Sequence, residues 1–309
     1  MIARLQRVLL LVTALLLAAW CAYWARRAPA VAWTGIVVAA LAHTVWLAIE
    51  FIACWRVNRR HAAPPRLAAL LRAWAAESRM AVRVFGWRQP FRANAVPDHL
   101  PRGDGRRGVV FVHGFCCNRG FWTPWLSALR REGRAFVAVN LEPPFGSIDR
   151  YVDTIEAAVQ CVRGATGQAP MLVCHSMGGL AARAWLREHG RSGAVHRIVT
   201  LGTPHAGTWL ARFGRSTNGR EMRIGGEWLQ RMAEDTESVR RVPFTCWYSS
   251  CDNIVFPTPT ATLPGADNRP VHGLAHVEMA FDTRVMRETL ALLDLDQGPR
   301  CTPAPRRIT

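Results

Sequence analysis

Residues 171–180 read M-L-V-C-H-S-M-G-G-L, and this stretch decides the fold. Met171, Leu172, Val173 and Cys174 form a short apolar run of the kind buried strands show, and from Leu180 to Leu186 the apolar residues recur at helical spacing. Ser176 therefore stands at a strand-to-helix turn. A turn this sharp lifts the serine hydroxyl above the sheet edge and tolerates only small neighbours. Gly178 suits it and Gly179 adds room, but Cys174 occupies a position where G-x-S-x-G has glycine. Taken alone, the stretch fits a nucleophile turn and an ordinary strand-helix junction equally well.

Outward from the serine, strands and helices alternate as they do in a parallel sheet covered on both faces. Residues 109–112 (V-V-F-V) read as a buried strand ending in His113-Gly114-Phe115. A helix over 122–130, a strand over 135–141 and a helix over 148–164 capped by Ser147 follow. Beyond the serine helix come a strand over 198–201, a short helix near 227–233, a strand over 244–249, the end of another at Val271-His272, and a closing helix over 283–293. The proline-rich, basic tail 297–309 is expected to be disordered.

A nucleophilic serine needs a base, an acid that orients the base, and N–H donors for the developing oxyanion. In this topology acid and base follow the serine at the ends of later strands. Asp252 comes directly after the strand at 244–249, and His276 lies in the loop before the last helix. His113 and His205 fall out of that order and are expected to shape loops by hydrogen bonding, while His175 is expected to point away from the serine. Asp267, in a proline-glycine turn, and Asp282, at a helix start, occupy ordinary places for aspartate. The donors are read as the backbone N–H groups of Phe115 and Met177, the latter at a helix N-terminus.

Six pieces in order now carry a resemblance: V-V-F-V-H-G-F at 109–115, N-L-E-P-P-F-G-S-I at 140–148, V-C-H-S-M-G-G at 173–179, L-G-T-P-H-A-G-T at 201–208, S-C-D-N-I-V-F-P at 250–257 and G-L-A-H-V-E at 273–278. Together they resemble the α/β-hydrolase fold, and within it bacterial serine lipases and esterases of the triacylglycerol-lipase type. The resemblance implies an α/β-hydrolase catalytic domain over 108–296, with Ser176, Asp252 and His276 as the triad and Phe115 and Met177 as the oxyanion hole. It implies no cofactor, and ligands for the calcium ion that some relatives bind are not matched here, so no metal is expected. A cap-like insertion falls at about 207–241, where Trp209, Leu210, Phe213, Met222, Ile224, Trp228, Leu229 and Met232 either line an acyl pocket or pack a small helical layer.

The N-terminal third departs from secreted members of that group. Residues 5–24 and 30–55 are two nearly uncharged apolar runs joined by a short turn, each long enough at ~1.5 Å per residue to cross a ~30 Å hydrocarbon core. Residues 1–60 thus read as a transmembrane hairpin, flanked by Trp20, Tyr23, Trp24, Trp33 and Trp55. Seven arginines flank its two ends against two in its turn, which places both ends and the catalytic domain in the cytoplasm, at the inner membrane. Glu50, inside the second run, is expected to reach for the interface. Residues 61–107 form a linker whose 66–84 portion is an amphipathic helix, packed on the domain or lying on the anionic membrane surface.

The formal charge of +17 comes from arginine alone, spread along the chain without any aromatic-basic module, and nucleic acid is excluded as a partner. The nine cysteines show no C-x-x-C pair, although Cys246 and Cys251 remain a possible pair in an oxidising compartment. The expected activity is that of a membrane-anchored serine ester hydrolase, a lipase or carboxylesterase acting on hydrophobic acyl esters or lipids. Its alternatives are an acyltransferase with the same triad and a non-catalytic binding protein on the same fold; the oligomeric state is left open.

Overall fold

Six parallel strands form the centre of the molecule: β1 (Val109–Val112), β2 (Phe136–Ala138), β3 (Met171–His175), β4 (Arg197–Leu201), β5 (Phe244–Tyr248) and β6 (Asp267–Pro270). The computed structural model describes residues 1–61, 64–103, 105–190 and 193–295, and the tail expected to be disordered lies outside them. The sheet order is β2-β1-β3-β4-β5-β6. β1 and β3 are buried throughout, as strands covered by helices on both faces must be. Alternation along each strand sends Val110, Leu172 and Ile198 into one core and Phe111, Val173 and Val199 into the other.

The chain leaves β1 toward β2 and then returns to place β3 on the other side of β1. That reversal opens a crevice beyond the carboxyl ends of β1 and β3, the usual place for a ligand in such sheets. In-register pairing of Cys174 with Val112 on one side and with Thr200 on the other brings the loops after β1, β3 and β4 to one rim.

Two strand readings shift. The strand read over 135–141 stops at Ala138, because Leu141 turns its N–H to the imidazole of His113 instead of a neighbouring strand. The strand read at Val271-His272 pairs over Asp267–Pro270, and Val271 adds one further bond to Tyr248 O at 2.8 Å.

The N-terminal region is helical: α1 (Ile2–Trp24), α2 (Pro29–His61) and α3 (Leu67–Ala81), which runs on through a π-helical turn, Val82–Arg88. α1 and α2 are each long and apolar enough to cross a membrane, and their large apolar side chains, among them Leu11, Leu16, Val38 and Leu41, are exposed. The far ends of the hairpin return to the domain that holds the sheet. Ile2 is buried and Gln6 bonds Gln89 at 3.0 Å, while Phe51, Cys54 and Asn58 near the end of α2 are buried. α3 packs on the domain through Leu70, Ala73 and Glu77, so the domain-packed placement of 66–84 is the one observed.

Candidate active site

Ser176 sits between β3 and the helix Met177–His189 with φ +54° and ψ −129°, a backbone conformation that L-residues other than glycine rarely adopt. The surrounding structure over-determines it. Its N–H donates to Leu201 O at 2.9 Å and its carbonyl accepts from Thr203 Oγ1 at 2.8 Å. Cys174 fits where glycine is usual because its side chain fills a fully buried place in the core beneath the turn. The loop after β1 presses against the serine, since a Cβ at Gly114 would lie 2.8 Å from that of Ser176. Phe115 follows directly, and Met177 opens the helix, where the first N–H groups have no intrahelical partner and carry the positive end of the dipole.

Asp252 and His276, 24 residues apart in the chain, meet with Nδ1–H donating to Asp252 Oδ2 at 2.9 Å. The other carboxylate oxygen accepts the N–H groups of Ile254 and Val255, at 2.9 and 2.8 Å, which fixes the aspartate in its own loop. Gly202 leaves room for the pair: its φ is +56°, and a Cβ there would come within 2.8 Å of Asp252 Oδ2. Burial disfavours the His276 imidazolium, but the charge and hydrogen bond of Asp252, together with the charges of Glu77 and Glu50, outweigh it, and the ring is held above the usual histidine range.

The N-terminal helices support both partners. Glu77 of α3 accepts the N–H groups of Val277 and Glu278, each at 2.9 Å, next to His276. Burial raises the Glu77 carboxyl to about 7 despite those bonds. From α2, Cys54 Sγ–H donates to Asp252 O at 3.2 Å and Asn58 Nδ2 to Ser250 O at 3.3 Å, while Asn58 Oδ1 accepts from Thr258 N at 2.8 Å. Glu50 accepts from Asn253 Nδ2 at 2.7 Å, and Asn253 Oδ1 in turn accepts the backbone N–H of His276. None of these roles was read from the sequence. The available signals were an acid inside an apolar run and the place of Glu77 on the Leu70-Ala73 stripe of α3.

A cavity of about 760 Å³ opens onto Ser176 and His276. His175, expected to point away, also lines it and comes within 3.2 Å of His276 O through Nε2, its ring stacked on Phe121. Burial keeps it neutral, well below the ordinary histidine range. His113 does shape its loop: Nε2 accepts the Leu141 N–H, so Nδ1 carries the proton and donates to Gly114 O at 2.9 Å. Burial pushes His113 down to about 4. His205 bonds Thr200 Oγ1 and lines a different cavity, with Arg183.

Of the two uses open to the 207–241 residues, packing is observed. Met222, Trp228, Leu229 and Met232 are buried in a core, Trp209 stacks on Phe256, and Phe213 and Ile224 are exposed. None of them lines the cavity over Ser176. Cys246 and Cys251 are both buried and free.

A parallel sheet of this order, with a strained serine after its third strand and a buried Asp-His pair at the same rim, defines a hydrolase of the α/β type. The chain belongs to the alpha/beta hydrolase family, whose family model matches residues 109–302. α1, α2 and α3 lie ahead of that match. Among solved structures the chain is similar to Bacillus licheniformis lipase BlEst2 in its mature form, at 17% identity and TM-score 0.57 over 64% of this chain and 96% of that one. It is also similar to Aspergillus fumigatus lipase B, at 16% identity and TM-score 0.51 over 63% of this chain and 55% of that one. At such identities the likeness is one of fold. No curated protein matches the chain in sequence.

Proposed function

We propose that the chain is a membrane-anchored serine ester hydrolase, a lipase or carboxylesterase, cleaving hydrophobic acyl esters through an acyl-enzyme. The observation that carries this reading is the 2.9 Å bond from His276 to Asp252, on the wall of the cavity that Ser176 also lines. His276 Nε2 takes the Ser176 proton as Oγ attacks the ester carbonyl, and Asp252 holds the tautomer that leaves Nε2 free to accept it. The N–H groups of Phe115 and Met177 receive the oxyanion. His276 then protonates the leaving alcohol, and water, activated by the same imidazole, releases the acid.

The proposed anchor is the α1–α2 hairpin, and the arginine distribution supports a reading in which both its ends, with the hydrolase domain, lie on the cytoplasmic side of the inner membrane. The test is turnover of p-nitrophenyl esters by the detergent-solubilised full chain. Ser176→Ala is expected to lower kcat by about four orders of magnitude or more. Retention of wild-type turnover by that variant removes the assignment.

A further inference from the structure

The cavity over Ser176 is not walled by the hydrolase domain alone. Leu10 of α1, His43, Trp46 and Leu47 of α2, and Val82 and Phe85 of the π-helical turn all contribute to its lining. Leu10 stands eight residues above Ile2, where α1 meets the domain, and Ala42 the same number above Glu50. At the helical rise, each wall climbs about 12 Å up the base of the hairpin. Over that same stretch Val8, Leu9, Leu11, Val45 and Ile49 are exposed, as are Leu10 and Trp46 of the cavity lining. A bilayer around the proposed hairpin anchor would cover these apolar side chains, which sets the cavity level with the edge of the hydrocarbon. His43 and Glu50, the ionisable groups of this part of α2, both line the cavity, the side on which membrane helices place such groups.

Resting on the esterase reading, we infer that the hairpin is part of the substrate site as well as the anchor. The acyl chain of a membrane-resident lipid ester passes from the hydrocarbon directly between α2 and the Val82–Phe85 turn, lies against Leu10, Trp46 and Leu47, and brings its ester down to Ser176. A volume of about 760 Å³ is enough for one such chain, being in the upper range of ligand pockets. The segment 207–241 takes no part in holding it.

The experiment uses the full chain in phosphatidylcholine nanodiscs and a long-chain alkyl fluorophosphonate with a diazirine at the end of its tail. Ser176 Oγ displaces fluoride from phosphorus and its proton leaves as HF by way of His276; irradiation then marks whatever the tail touches. Crosslinks to Leu10, to residues 42–50 or to residues 82–86 are the expected result. Labelling of Ser176 with crosslinks confined to 207–241, or to none of the expected segments, overturns the inference and leaves the esterase reading standing. No labelling of Ser176 removes that reading, and this inference with it. In parallel, Leu47→Trp is expected to lower the ratio of long-chain to short-chain kcat/KM by about tenfold. An unchanged ratio overturns the inference.

Discussion

At the scale of single residues, the proposed chemistry turns on the protonation of His276. It acts as a base only when neutral, and Asp252 raises its affinity for a proton against the opposing effect of burial. The acid limb of kcat/KM is therefore expected to have its midpoint above 6.5, the ordinary histidine value, so that activity rises with pH across neutrality; a pH-rate profile with a short soluble ester checks this. The stability linked to this group has the opposite sign. It is fully present below 6.5 and fades as pH rises through the folded-state value. Gly202 makes a second residue-scale expectation. Gly202→Ala forces a Cβ toward Asp252 Oδ2 at a left-handed φ, and a displacement near 1 Å costs about a hundredfold in rate. Circular dichroism should show a folded variant, and a wild-type kcat would contradict the placement. Ser176 and Asp252 could be proposed from the chain because each follows an apolar strand, and His276 from its place in the loop before the last helix, since β6 ahead of it is not apolar. That His175 lines the same cavity was not read from it.

At the scale of elements, α3 behaves as a brace for the histidine loop. Glu77 satisfies two buried backbone N–H groups, each worth about 1–3 kcal/mol if left unpaired. Glu77→Ala is expected to destabilise the protein by an amount of that order in denaturant unfolding. Glu77→Gln, which removes the charge and keeps the volume, is expected to lower the midpoint of the acid limb, because Glu77 is one of the groups raising His276. A midpoint unmoved by Glu77→Gln would mean that the carboxylate does not act on the imidazole. Local pattern named α3 correctly as an amphipathic helix. It did not show that an acid on the buried stripe meets Val277, because a contact spanning 200 residues leaves no periodic trace.

At the scale of the molecule, the N-terminal helices and the hydrolase domain form one structure and not an enzyme on a tether. Asn58 and Cys54 bond the backbone of Ser250 and Asp252, and Glu50 bonds Asn253, so α2 holds the acid loop from outside the family's own boundaries. Deleting 1–61 is expected to abolish turnover of even short soluble esters and to leave an aggregation-prone product, with Phe51 and Trp55 gone from the small core they share with Leu70, Ala73 and Ala275. Full short-ester activity in the truncated chain would show that the hairpin only anchors. The succession of strands and helices and both apolar spans could be read from the sequence because each rests on a local pattern. The docking of one on the other could not, because Asn58 and Glu50 look like ordinary polar residues near a membrane boundary.

The central claim is that Ser176 is a nucleophile activated by His276 and Asp252, and intact-mass analysis after fluorophosphonate treatment tests it most directly. The account predicts a single adduct on wild-type protein, mapped to Ser176, absent from Ser176→Ala and strongly slowed in His276→Ala and Asp252→Asn. A folded wild-type protein that takes up no adduct, or takes it up at a serine other than Ser176, would contradict it.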